Sequence, residues 1–218
     1  MSEEKKSGRA RRLWQIFSDT FLVRNIVLVK LLGLCPIVVA AVNLKAGVTL
    51  TVCVALALLP TAFLMSLVGE KLKPVIRVPL YTTIALSILL GVGYVLGRYI
   101  NAELYASLYL FLPLLAVNSL MTYRVGGFAV VSRPPEAMAD ALGSVLGFGV
   151  VICTVATVRE FLAYGALWEV RLLPHPPLTA AASPFFAFLM LGFMAALSQF
   201  VRELLRRFVA GEVSVSYE

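Results

Sequence analysis

The chain has 218 residues and a formal net charge of +7, with 60% hydrophobic and only 14% charged residues and a mean hydropathy of +0.90. So few charges cannot cover a water-soluble domain of this size, which excludes the soluble enzyme classes and reads as an integral membrane protein. No basic stripe interleaved with aromatics occurs, so the positive charge reports membrane insertion and argues against a nucleic-acid partner.

In chain order, residues 1–24 read as a basic cytoplasmic tail followed by an interfacial stretch around Trp14 to Phe21. The apolar run after it has no small-residue cleavage site, so a removable signal peptide is not expected. Residues 25–207 form a membrane domain of six apolar stretches, at 27–44, 46–69, 78–97, 104–123, 141–158 and 183–201, and 208–218 is a cytoplasmic tail. Five stretches reach the ~20 residues needed to cross ~30 Å of hydrocarbon. The clean apolar part of the first, 31–44, is only 14 residues. At ~1.5 Å per residue it reaches about 21 Å, so a broken or half helix is expected. Residues 125–140, with Pro134-Pro135, read as an inner loop. Residues 167–184, with four prolines, read as an outer loop with Tyr164 and Trp168 at headgroup level.

With the N-terminus inside, the inner side collects 14 Lys and Arg and the outer side three: Lys45, Arg98 and Arg171. That split satisfies the positive-inside rule with both termini cytoplasmic. Spans one to three and four to six make two sets of three, and an odd number per set inverts the second relative to the first. The expected fold class is therefore an all-α integral membrane protein, six transmembrane helices in two inverted three-helix repeats. The first and fourth helices are interrupted, at Gly33-Leu34-Cys35-Pro36 and at Pro113 with Asn118-Ser119.

Cys35 is the leading candidate for chemistry. Pro36 removes a backbone hydrogen bond and Gly33 allows close backbone approach, so the helix can stop there. A thiolate at such a break can bind a soft metal, and the competing reading is a small residue packed at a kink. Cys53 and Cys153 read as small buried hydrophobes, because no CxxC or Cys/His zinc spacing is present. Lys30 lies close enough to the inner surface to snorkel. Arg159 and Glu160, adjacent and not facing each other, read as capping the outer end of span five and pairing with other groups. Asn118-Ser119 read as interhelical hydrogen-bonding groups, and the span-three and span-five glycines as close-packing positions. His175 has no local partner and reads as a surface residue.

The stretch Asn25-Ile-Val-Leu-Val-Lys-Leu-Leu-Gly-Leu-Cys-Pro36 resembles the first-span signature of the NqrD/RnfE family. Ile76-Arg-Val-Pro-Leu-Tyr81, Leu110-Phe-Leu-Pro-Leu-Leu-Ala-Val-Asn118 and Val158-Arg-Glu-Phe-Leu-Ala-Tyr-Gly-Ala-Leu167 support it in the same order. The resemblance implies a membrane subunit of a Rnf- or Nqr-type ion-translocating electron-transport complex in a bacterial or archaeal inner membrane. It would pair with a homologous RnfA/NqrE-like subunit of opposite orientation and with the other subunits of the complex. In that family the pair holds an intramembrane [2Fe–2S] cluster, two cysteines from each partner, and the resemblance implies the same here. One would be Cys35, flanked by Gly33 and Pro36. The other follows the span-four asparagine, here Asn118, and that position is Ser119. Either the cluster has unusual ligation or the chain is a paralogue that keeps the scaffold without the cofactor. A cofactor-free transporter or an assembly scaffold on the same inverted repeat is the alternative. The chain is not expected to be an enzyme alone.

Overall fold

The computed structural model describes residues 11–23, 26–100, 105–106, 108–168 and 170–215. They are mostly helical. Five helical segments are long and apolar enough to cross a membrane by length and composition: Leu44–Lys71, Pro74–Arg98, Phe111–Val131, Pro134–Tyr164 and Pro184–Leu204. They correspond to spans two to six. The first stretch is two short pieces, Ile26–Lys30 and a π-helical turn Pro36–Ala40, as its length requires. Residues 11–18 are helical and run into a π-turn at Asp19–Val23, and along them Trp14 lies tilted against Phe17, which stacks on Phe21.

Spans two and five form the centre. Their antiparallel contact is close because glycines face the partner helix. A Cβ on Gly47 would lie 3.2 Å from Ala156 Cβ, and one on Gly149 would lie 2.7 Å from Thr51 Cγ2. Leu50, Leu58, Phe148, Ile152 and Val155 are fully buried along this seam. Spans three and six bury only 17% of their apolar windows, against 61% for span five, so their outer faces are left for lipid or other subunits.

Several boundaries differ from the sequence reading. The loop expected at 125–140 is almost entirely helical. Span four runs on as a π-helix, Thr122–Phe128, and a 3₁₀ turn, Ala129–Val131, and span five begins at Pro134. Only Ser132 and Arg133 intervene, with Arg133 extended as a residue before proline must be. Pro134-Pro135 is a helix start, because the missing N–H groups would have been unpaired in a first turn anyway, and Glu136 complements the dipole there. The span-six helix continues to Val215, so the tail expected at 208–218 begins as a continuation of that helix. The outer loop holds a two-residue antiparallel pair, β1 (Ala166–Leu167) with β2 (Val170–Arg171), and a 3₁₀ turn at Thr179–Ala182. Residues 1–10 and 216–218 lie outside the described residues.

Candidate functional site at two helix breaks

The first break follows Lys30. Leu31 has φ +54° and Gly33 φ +80°, and two left-handed residues so close together end the helix. Glycine adopts that conformation without strain; Leu31 does not. Cys35 is helical (φ −51°, ψ −52°) at the start of the Pro36–Ala40 turn, where Pro36 costs no hydrogen bond. The second break lies at Val117 and Asn118. Asn118 is extended (φ −64°, ψ 144°) and its Oδ1 accepts from the Leu120 amide at 3.3 Å, capping the helix that Ser119 begins. Pro113 does not interrupt span four. It sits in the first turn of Phe111–Ala116, where its missing N–H is harmless.

The two breaks meet. The Gly33 N–H donates to Ser119 Oγ at 2.9 Å, and Ser119 Oγ lies 3.3 Å from Asn118 Oδ1. A Cβ on Gly33 would lie 3.6 Å from Asn118 Nδ2 and from Leu120 Cβ. Of the residues expected to form the site, the structure therefore brings Gly33, Asn118 and Ser119 into contact. Pro36 is buried behind them. Cys35 and Ser119 are both exposed on the outer surface of the bundle, so neither is enclosed by this chain. Cys53, buried in span two, and Cys153, partly buried in span five, remain packing residues on other helices. Among the described residues, no three His, Cys, Asp or Glu side chains gather where they could hold a metal ion.

Lys30 reaches across to the end of span four. Its Nζ donates to the Tyr123 hydroxyl and sits 3.9 Å from the centroid of that ring. A cation is thus fixed one residue before the first break by a residue four after Ser119, joining the same two spans a second time.

Arg159 and Glu160 do pair with other groups, as expected, but they join span five to its neighbours and do not cap its own end. Arg159 is fully buried, and its guanidinium donates to five carbonyls: Val38 and Ala41 at 3.0 and 2.9 Å, and Ala181, Ala182 and Ser183 at 3.2, 2.7 and 3.4 Å. These are the orphan carbonyls left by the short turn after Cys35 and by the 3₁₀ turn before span six. Glu160 Oε2 accepts from the Leu44 amide at 2.7 Å, at the start of span two. Two adjacent residues of span five therefore supply partners for the corner where the first stretch turns into the second.

A buried ion pair is not legible in the sequence. Arg124 Nη1 lies 2.6 Å from Asp140 Oδ1, and Thr20 Oγ1 donates to the same oxygen at 2.9 Å. By position alone Arg124 reads as an inner-side cation just after span four and Asp140 as the last residue of the inner loop. The available signal is Asp140 at the threshold of a long apolar run, in a chain with only 12 acidic residues.

Comparison with known proteins follows the same lines. The model of the family "Rnf-Nqr subunit, membrane protein" matches residues 13–195. The chain is 30% identical over 207 residues to the E subunit of the ion-translocating oxidoreductase complex of Shewanella sp. (strain W3-18-1), covering 87% of this chain and 89% of that protein. It is 30% identical over 153 residues to the protein of the same name from Thioalkalivibrio sulfidiphilus, covering 70% and 67%. It is 26% identical over 189 residues to the E subunit of the proton-translocating ferredoxin:NAD(+) oxidoreductase complex of Clostridium ljungdahlii, covering 86% and 88%. Matched over most of its length, with broken first and fourth spans in contact, the chain belongs to the Rnf-Nqr family of membrane subunits.

Proposed function

We propose that this chain is a membrane subunit of an ion-translocating electron-transport complex, and that its paired breaks frame an intramembrane electron relay. The observation that carries this reading is the Gly33 to Ser119 hydrogen bond, with Cys35 and Ser119 both exposed beside it. Iron–sulfur clusters take cysteine thiolates, and this chain offers one thiol and one hydroxyl there. Such a half-set fits a [2Fe–2S] cluster only if a second subunit completes it, and both groups face outward where one can dock. Cys35 would be the firm ligand, with Gly33, Pro36 and Asn118 holding the backbone around it. Ser119 would stand at the second corner, its oxygen a harder donor already engaged by the Gly33 amide. A bound cluster would supply one-electron transfer.

In this reading the partner is a homologous RnfA/NqrE-like subunit, and the two three-span sets are inverted repeats with their breaks near the membrane midplane. The end bearing Lys71, Lys73 and Arg133 faces the cytoplasm, as do both termini, in a bacterial or archaeal inner membrane. The alternative, a cofactor-free paralogue on the same scaffold, draws on Ser119 serving the fold through Gly33.

The test is to co-purify the chain with its partner and measure iron and visible absorption, with Cys35→Ala alongside. Iron in the wild-type complex, lost from the variant, supports the relay. A folded complex without iron overturns it and leaves the paralogue, which ion or solute flux in liposomes would then address.

A further inference from the structure

Away from the breaks, four buried side-chain polar atoms among the described residues lack a partner: Thr61 Oγ1, Tyr81 Oη, Arg124 Nε and Ser144 Oγ. Thr61 and Tyr81 are 0% exposed and Ser144 is 2% exposed. Orphans of this kind are costly in any interior and more so in hydrocarbon. Thr61 and Ser144 stand apart from the other described hydroxyls of the long helices. Thr49, Thr51, Thr82, Thr83, Ser87, Thr154 and Thr157 each donate to the carbonyl four residues back, and Ser66 and Ser198 to the one three back. Thr61 and Ser144 forgo that bond, so their hydroxyls serve something else.

The four groups sit on four different spans, two to five, and the packing of those spans sets their register. Gly47 packs on Ala156 and Gly149 on Thr51, and continuing that antiparallel register sets Thr61 opposite the turn beginning at Asp140. Ser144 lies one turn along the same face of span five from Asp140, which holds Arg124. Tyr81 packs on Gly126, two residues beyond Arg124, its Oη 3.5 Å from where a Gly126 Cβ would stand. Gly69 packs on Val130 just below, at the basic end of the bundle.

We propose that spans two to five enclose a hydration site here, with ordered water bonded to Thr61, Tyr81, Ser144 and the Arg124 Nε–H above the Arg124–Asp140 pair. Three hydroxyls that both donate and accept, plus one N–H that only donates, match water, which does both. They do not match an alkali cation, which needs acceptors alone and would meet a guanidinium. Water is stable where two to four polar partners converge. The site is independent of the relay reading, since none of its groups touches Cys35 or Ser119.

Radiolytic hydroxyl labelling of the purified complex in isotopically labelled water tests it, because bound water generates radicals in place. Tyr81 should take up label several-fold faster than Phe148, equally buried but with no polar atom on its ring, and Thr61→Val should cut that uptake. Thermal unfolding separates the cases again. Around water, the isosteric Thr61→Val and the smaller Ser144→Ala strand the remaining groups and lower the midpoint; in a dry cleft Thr61→Val removes an orphan hydroxyl and raises it. Labelling of Tyr81 no faster than Phe148, a raised midpoint, or protection of Tyr81 by sodium but not by choline would each overturn the proposal.

Discussion

The Gly33 amide donates to the Ser119 hydroxyl across 86 residues of sequence, and that bond joins the two broken helices of the chain. Each break strands backbone groups that lipid cannot satisfy, and the second supplies an acceptor for one stranded at the first. Replacing Ser119 with Ala should leave the Gly33 N–H without an acceptor and cost about 1–3 kcal/mol. The thermal midpoint of the purified protein reads this. Ser119→Cys restores a sulfur at that corner and should raise iron retention in the two-subunit complex over wild type, read as iron per protein.

Gly33→Ala meets no hard clash, since its Cβ would lie 3.6 Å from its nearest neighbours. Its cost comes from the φ of +80°, which disfavours an L side chain by about 1–2 kcal/mol. A lowered midpoint with the partner still bound is the expected outcome, and an unchanged midpoint would show that the turn relaxes.

Arg159→Leu removes the donor to five carbonyls and should be among the most damaging single changes in the chain. Each buried acceptor left unpaired costs about 1–3 kcal/mol, so fluorescence-detected size exclusion should show little folded protein. Arg159→Lys keeps the charge but not the planar fork, and should recover only part of the yield. Glu160→Gln retains an acceptor for the Leu44 amide and should cost far less than either.

Asp140→Asn leaves the Arg124 guanidinium buried without its counter-charge, and losing one partner of a buried pair costs about 3–5 kcal/mol. Replacing both residues, Arg124→Met with Asp140→Leu, should be milder than Asp140→Asn alone. A double-mutant cycle in thermal stability checks this, and additive losses would mean the pair is not coupled.

Lys30→Met removes the cation held over Tyr123 and should cost about 0.5–1 kcal/mol, since the site is exposed. Tyr123→Phe keeps the ring and loses only the hydroxyl, so it should be milder. Equal losses would show that the hydroxyl carries the contact.

Composition and run length alone determined the class of this protein. A chain with 14% charged residues must bury its apolar runs in lipid, and a 14-residue run cannot cross it whole. Gly33 and Pro36 marked the first break because their backbone limits are local properties. The same local logic reached the second at Asn118-Ser119 but wrongly gave Pro113 a share in it, since a proline interrupts a helix only beyond its first turn and Pro113 lies within one. Which polar groups meet was decided by packing alone. Arg159 answers carbonyls 118 and 121 residues earlier, and Arg124 finds Asp140 across a turn that reads as a loop. A buried charge or open carbonyl takes whatever partner the fold brings near, and one-dimensional spacing holds no record of that proximity.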